Sequence, residues 1–251
     1  MWQNANVDDE TKARSVSRTA RERARAEITG EILAAARRQL ATEGAPALSL
    51  RAIARDLGMA SSAVYRYVAS RDELLTRLII DAYDSLGAAA EAAESPVARD
   101  DLDRRWSAVC RAVRGWALAN PNEYALIYGS PVPGYVAPPD TVAPASRVAN
   151  LLVRILIDAT VSGALRATIA VDQVPAEDRS ALAPIRSFIG VEVPDALVQR
   201  GLMAWSALYG TVSFELFGQL HNVVGEEPGD REAYFAECVR RWAQQIGIAE
   251  G

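Results

Sequence analysis

The chain has 251 residues, half of them apolar and 24% charged, which suits one or two globular domains around a sizeable core. It holds one histidine (His221), two cysteines (Cys110 and Cys238) and one lysine (Lys12), too few for most metal or catalytic clusters. The lysine does not follow a glycine, no two glycines stand two apart and no Gly-x-Ser-x-Gly occurs, so the phosphate loop, the dinucleotide fingerprint and the nucleophile elbow are all excluded. No cofactor, no metal site and no enzymatic activity are expected.

The net charge of −5 conceals an uneven distribution. Residues 12–77 carry 13 bases against 7 acids, whereas residues 78–251 carry 14 against 22. A basic segment on an acidic chain can still bind a polyanion, because attraction to phosphate follows the local field. The N-terminus shows no apolar signal-like run, and the most apolar stretch, Leu151–Val171, is interrupted by Arg154, Asp158 and Arg166. A cytoplasmic chain without a membrane partner is therefore expected.

Residues 1–19 read as a disordered polar and basic arm, whose Arg14 and Arg18, with Arg21, Arg23 and Arg25 beyond, suit either solvation or phosphate contact. Thr19 and Glu22 have capping-box spacing, followed by Ile28, Ile32, Leu33, Ala36 and Leu40 at helical spacing and Gly44 as a stop. Ser49 caps a short second helix with Leu50, Ile53, Ala54 and Leu57 inward, and Gly58 ends it. Ser61 or Ser62 caps a third helix over 63–68. Ser70 and Glu73 open a long fourth helix through Leu74, Leu75, Leu78, Ile79, Ala82 and Tyr83. Turns this short force the first helices into a tri-helical unit.

Beyond residue 95, apolar faces over 102–119, 121–129, 146–169, 178–190, 195–224 and 230–246 predict further helices, and five prolines mark 130–145 as a loop. The fold is predicted to be all-α: an arm (1–19), a helix-turn-helix domain (20–69, the motif itself near 49–68), a connecting helix (70–94) and a helical ligand-binding and dimerisation bundle (95–251).

Helix, glycine turn and short polar helix form the arrangement that enters a major groove. Small Ala60, Ser61, Ser62 and Ala63 allow close approach to base edges. Tyr65, Arg66 and Tyr67 offer donors, and Arg51 and Arg71 stand where flanking phosphates run. The stretch LSLRAIARDLGMASSAVYRYVASRDELL, Leu48–Leu75, resembles the N-terminal signature of TetR/AcrR transcriptional regulators. The Ile-Ala pair, turn glycine, Tyr-x-Tyr pair and Ser-Arg-Asp-Glu-Leu-Leu start are all in register.

The resemblance implies that Tyr65 and Tyr67 touch DNA, that Arg71 holds a phosphate in place of the usual lysine, and that Val68 replaces a common phenylalanine. It further implies a homodimer on a double-stranded operator and repression relieved by a small-molecule effector. Pro121-x-x-Tyr124, Tyr128-Gly129, Pro133-Gly134-Tyr135 and Trp205 through Glu215 are similar to a subgroup named for a Trp-His-Gly motif, with Tyr209 where its histidine would stand.

Candidate pocket residues are Trp106, Trp116, Tyr124, Tyr128, Phe188, Met203, Trp205 and Tyr209, although plain core burial also explains aromatics at helical spacing. Candidate dimer-seam residues are Leu208, Val212, Leu216, Leu220, Phe235, Val239 and Trp242, near the C-terminus. Two alternatives stay open at this stage. One is a helical small-molecule-binding protein or enzyme with a remnant helix-turn-helix; the other is a regulator controlled by a protein partner.

Overall fold

The computed structural model describes residues 5–165, 175–225 and 227–248, and among them it contains helices and turns but no strand. The chain divides into two compact units, one comprising the chain up to Ile79 together with Pro131–Ala137, the other Ile80–Ser130 with the chain from Pro138 onward.

In the first unit, α1 (Ala5–Glu43) is followed by a 3-10 turn (Ala45–Ala47), α2 (Leu50–Asp56), α3 (Ser61–Val64) and the start of α4 (Arg71–Glu94). The helix already runs where the sequence suggests a disordered arm, because no proline or glycine interrupts it between Ala5 and Thr29. Thr19 and Glu22 therefore lie inside a helix and do not open one. Gly44 and Gly58 take positive φ of 76° and 63°, which glycine tolerates, where α1 and α2 end.

The Ser49 hydroxyl accepts the Ala52 N–H at 3.4 Å and so caps α2. At the start of α4 the Glu73 N–H donates to the Ser70 hydroxyl at 3.0 Å, while the Glu73 carboxylate accepts the Ala69 N–H at 2.7 Å. Ile32, Ala36 and Leu40 of α1, Leu50, Ile53 and Ala54 of α2, Val64 and Val68, and Leu74, Leu75 and Leu78 of α4 form the buried centre. Val68 is fully buried, so the smaller side chain still closes the core beneath α3. The segment Pro131–Ala137 joins this unit, and the Tyr135 hydroxyl lies 2.9 Å from the Thr76 hydroxyl on α4.

The second unit holds the rest of α4, then α5 (Leu102–Ala119), α6 (Pro121–Tyr128), α7 (Val142–Ala145), α8 (Arg147–Val161), α9 (Ala176–Ala181), α10 (Ala183–Ile189), α11 (Asp195–Leu216) and α12 (Pro228–Ile246). Helix α5 is central, packing against α8, α11 and α12. Its stripe Leu102, Trp106, Val109 and Val113 meets a core that includes Ile155, Leu208, Val212 and Phe235.

Several expected helices are shorter. Gly163, at φ 69°, follows the end of α8, and residues 166–169 of the expected span lie outside the described residues. Pro184 sits in the first turn of α10, so the expected helix over 178–190 is split in two. Gly218, at φ 84°, follows the end of α11, leaving 217–224 as turns in which His221 is exposed. The loop over 130–145 contains a 3-10 turn, Pro139–Thr141, and the short α7.

Candidate nucleic-acid interface

The reading helix is shorter than the spacing predicts. Helix α3 ends at Val64 and continues as a tight turn, in which Arg66 and Tyr67 donate backbone N–H groups to the carbonyls of Ala63 and Val64. Its N-cap is Ala60, in an extended conformation and without a side-chain capping bond. Neither Ser61 nor Ser62 caps the helix, which corrects the sequence expectation. Both are exposed in the first turn. Ala60 is also exposed, Ala63 is half-buried, and Tyr65 and Arg66 project outward. Arg51, in the first turn of α2, is exposed as well.

Two arginines bind the motif together. The Arg71 guanidinium donates to the carbonyls of Ala45 at 3.0 Å, Leu48 at 3.2 Å and Pro46 at 3.3 Å. The residue assigned to a phosphate by resemblance thus clamps the turn between α1 and α2, leaving Nη1 turned toward Asp72 at 3.8 Å. Arg25 was only one of a group of arm arginines in the sequence. Here its guanidinium carbon lies 5.4 Å from the centroid of the Tyr67 ring, and Nη2 donates to the Arg66 carbonyl at 3.2 Å. No local signal pairs positions 42 apart, so sequence spacing could not have found this contact. An exposed Arg38–Asp56 pair at 2.6 Å further joins α1 to α2.

In the second unit the candidate pocket residues separate into two groups. Tyr124 and Tyr209 are buried and Tyr128 is half-buried, their rings packed at centroid distances of 5.0 Å (Tyr124 to Tyr128) and 4.3 Å (Tyr128 to Tyr209). Tyr83 of α4 joins at 6.0 Å from Tyr128, and Trp205 at 5.6 Å from Tyr209. The Tyr124 hydroxyl donates to the Tyr209 carbonyl at 3.0 Å and lies 2.9 Å from the Ser213 hydroxyl. Burial raises the phenol pKa of all four tyrosines above its ordinary value, so each stays a neutral hydrogen-bonding group. Trp106 and Trp116 are buried on α5, and the Trp116 indole donates to the Ser85 hydroxyl at 2.9 Å. Phe188 and Met203 are exposed, and Trp205 is partly so.

The dimer-seam candidates divide by burial. Leu208, Val212, Leu220, Phe235 and Val239 are buried within the chain's own unit, and Leu216 and Trp242 pack against that core. Leu208 and Val212 have no accessible surface in the single chain and so cannot touch a second copy, whereas Leu216 and Trp242 keep part of theirs. On and beside the last two helices, exposed apolar side chains include Leu202, Met203, Trp205 and Phe214 of α11, Phe217 after it and Tyr234 of α12. Helix α11 is apolar around most of its circumference, and periodicity alone cannot say which stripe faces inward.

Buried charges in this unit are matched. Arg105 pairs with Glu94 at 2.7 Å and Asp158 at 2.8 Å. Arg114 grips Glu215 through two 2.7 Å bonds, also meets Glu232, and lies over the Phe235 ring. Among the described residues no group of His, Cys, Asp and Glu could hold a metal ion, and no helix is long and apolar enough to cross a membrane.

This geometry defines an all-α protein with an N-terminal helix-turn-helix and a C-terminal helical body. The sequence model of bacterial regulatory proteins of the tetR family matches residues 32–78, and that of the tetracyclin repressor-like C-terminal domain matches residues 106–242. The chain is 44% identical over 208 residues to the HTH-type transcriptional regulator Rv1816 of Mycobacterium tuberculosis, covering 82% of this chain and 88% of that protein. It superposes on the regulatory protein SCO4313 with a TM-score of 0.70 and 35% identity, over 89% of this chain and 98% of that one. The regulator PfmR of Thermus thermophilus shares the fold at a TM-score of 0.52 and 20% identity, over 88% of this chain and 98% of that one. The chain belongs to the TetR family of transcriptional regulators, and its helix-turn-helix is the DNA-binding part.

Proposed function

We propose that the protein is a homodimeric repressor released from a palindromic operator by a small, largely apolar ligand. The observation that carries the DNA-reading role is the start of α3, where Ser61 and Ser62 are exposed and uncommitted to capping beside outward Tyr65 and Arg66. Two such helices in a dimer enter successive major grooves, with half-site centres about 34–36 Å apart. Ser61 and Ser62 read base edges, while Tyr65, Arg66 and Arg51 meet the backbone.

The exposed apolar stripe of α11 around Met203 and Phe214, continued by Phe217 just beyond the helix, supplies the dimer seam. The tyrosine cluster supports effector binding in the C-terminal unit, since it gathers hydrogen-bonding groups inside an apolar core. Helix α4 contributes residues to both units and is the element such a ligand would bias. Release requires that the ligand bind the DNA-incompetent state more tightly, because equal affinity for both states shifts nothing.

The test is selection of genomic fragments by purified protein at fixed salt, against excess nonspecific competitor. Recovery of a short imperfect palindrome, lost on adding a ligand extracted from denatured protein, supports the reading. Recovery of only nonspecific DNA by ligand-free protein overturns it.

A further inference from the structure

We propose that Trp106 donates a hydrogen bond to the effector, and that the effector is an uncharged, largely apolar molecule carrying a carbonyl oxygen. This inference rests on the effector-binding reading of the C-terminal unit.

Trp106 is 1% exposed and sits in the inward stripe of α5. Among the described residues its Nε1–H is buried with no hydrogen-bond partner. Trp116, ten positions later on the same helix, shows the ordinary arrangement, since its indole N–H is bound to Ser85 at 2.9 Å. A buried donor left unpaired loses its water without compensation, which is why such groups are scarce and mark an absent acceptor. Phenylalanine would fill the same apolar stripe without that penalty.

The neighbourhood narrows the acceptor's chemistry. One turn after Trp106 stands Cys110, fully buried, whose thiol pKa is pushed up by burial and which shares a core with Tyr209. Tyr209 in turn packs on Tyr128. These are neutral groups, so they offer hydrogen bonds but no charge. The buried cations Arg105 and Arg114 each face two carboxylates, Glu94 with Asp158 and Glu215 with Glu232. A carboxylate ligand entering here would lose its hydration and meet no uncompensated cation among these residues. A ketone, ester or amide oxygen suffers a far smaller desolvation cost and accepts the indole N–H directly. An apolar ligand without an acceptor leaves that N–H as it is.

The experiment uses the full-length protein and three probes on one ring system: acetylnaphthalene, ethylnaphthalene and naphthoate. Binding is measured by calorimetry, and the Trp106 indole N–H cross-peak, assigned through its own backbone, is followed by NMR in the unsubstituted protein. The expected result is a downfield shift of that cross-peak with acetylnaphthalene. Affinity for acetylnaphthalene should be about tenfold higher than for the other two, the worth of one buried hydrogen bond. In Trp106→Phe the preference for acetylnaphthalene over ethylnaphthalene should vanish, operator binding serving as the check that the variant is folded.

Acetylnaphthalene binding with an unmoved Trp106 cross-peak, survival of the preference in Trp106→Phe, or tightest binding of naphthoate each overturns this inference and leaves the effector reading standing. Binding of none of the three to protein that still holds its operator overturns the assignment of an effector site to this core as well. The NMR arm needs no substitution, so it decides the question even where Trp106→Phe fails to fold.

Discussion

Replacing Arg71 by alanine is the sharpest test of how the DNA-reading unit is held together. The guanidinium donates three bonds, at 3.0, 3.2 and 3.3 Å, to the carbonyls of Ala45, Leu48 and Pro46. The side chain is 32% exposed, so water can replace part of what is lost. Charged donors in buried settings give up to about 3 kcal/mol each, but partial exposure reduces these three bonds to roughly 2 kcal/mol together. That figure corresponds to about thirtyfold faster amide exchange in α2, measured under conditions where exchange reports opening of this unit. DNA affinity should fall for operator and nonspecific sequences alike, because α3 is placed by the turn that Arg71 clamps. Arg71→Lys should restore less than half of the protection, since one ammonium cannot match a planar fork across three carbonyls. Unchanged exchange in α2 together with a salt slope reduced by about one would refute the clamp and leave Arg71 as a phosphate ligand alone.

Tyr65→Ala should weaken binding to every sequence, whereas Ser62→Ala should relax preference at one operator position by roughly 1 kcal/mol, both read from binding to operator and point-variant duplexes. Full affinity in Tyr65→Ala would mean that α3 is docked wrongly. Arg25→Ala and Tyr67→Ala should show a coupling of about 0.5–1 kcal/mol in a double-mutant cycle on operator affinity, and strict additivity counts against Arg25 as the residue that orients Tyr67. Burial raises the Asp158 pKa, yet hydrogen bonds from Arg105 and Arg99 outweigh it and leave the carboxyl below its ordinary range; Arg147 does the same for Glu91 by its hydrogen bonds. A depressed folded-state pKa gives stability that is present above the unfolded value, about 4, and is lost as the pH falls below it. The urea midpoint of the C-terminal unit, followed by tryptophan fluorescence, should therefore hold steady above a pH of about 5 and drop as the pH is lowered below about 4. A constant midpoint would contradict these pairings.

Much of the DNA-reading unit was legible because it is specified over short distances. Gly44 and Gly58 adopt the positive φ that glycine tolerates best, Ser49 and Ser70 cap as their spacing indicates, and the inward faces of α1, α2 and α4 follow helical periodicity. Where the same local rules applied to Ser61 and Ser62, they misled. Ala60 took the cap position and left both hydroxyls exposed.

By itself, then, the sequence determined an all-α chain, the register of its helix-turn-helix and the poverty of its catalytic inventory, because caps, turn glycines and apolar spacing act within a few residues. Tertiary structure alone decided which stripe of α11 faces inward, since a helix apolar on several sides carries no such preference until its neighbours are placed. It also decided that Arg71 and Arg25 serve the motif's own architecture, and that tyrosines from α4, α6 and α11 meet in one cluster. Each of these contacts joins positions tens of residues apart, where burial and complementary packing, rather than local backbone preference, select the partner.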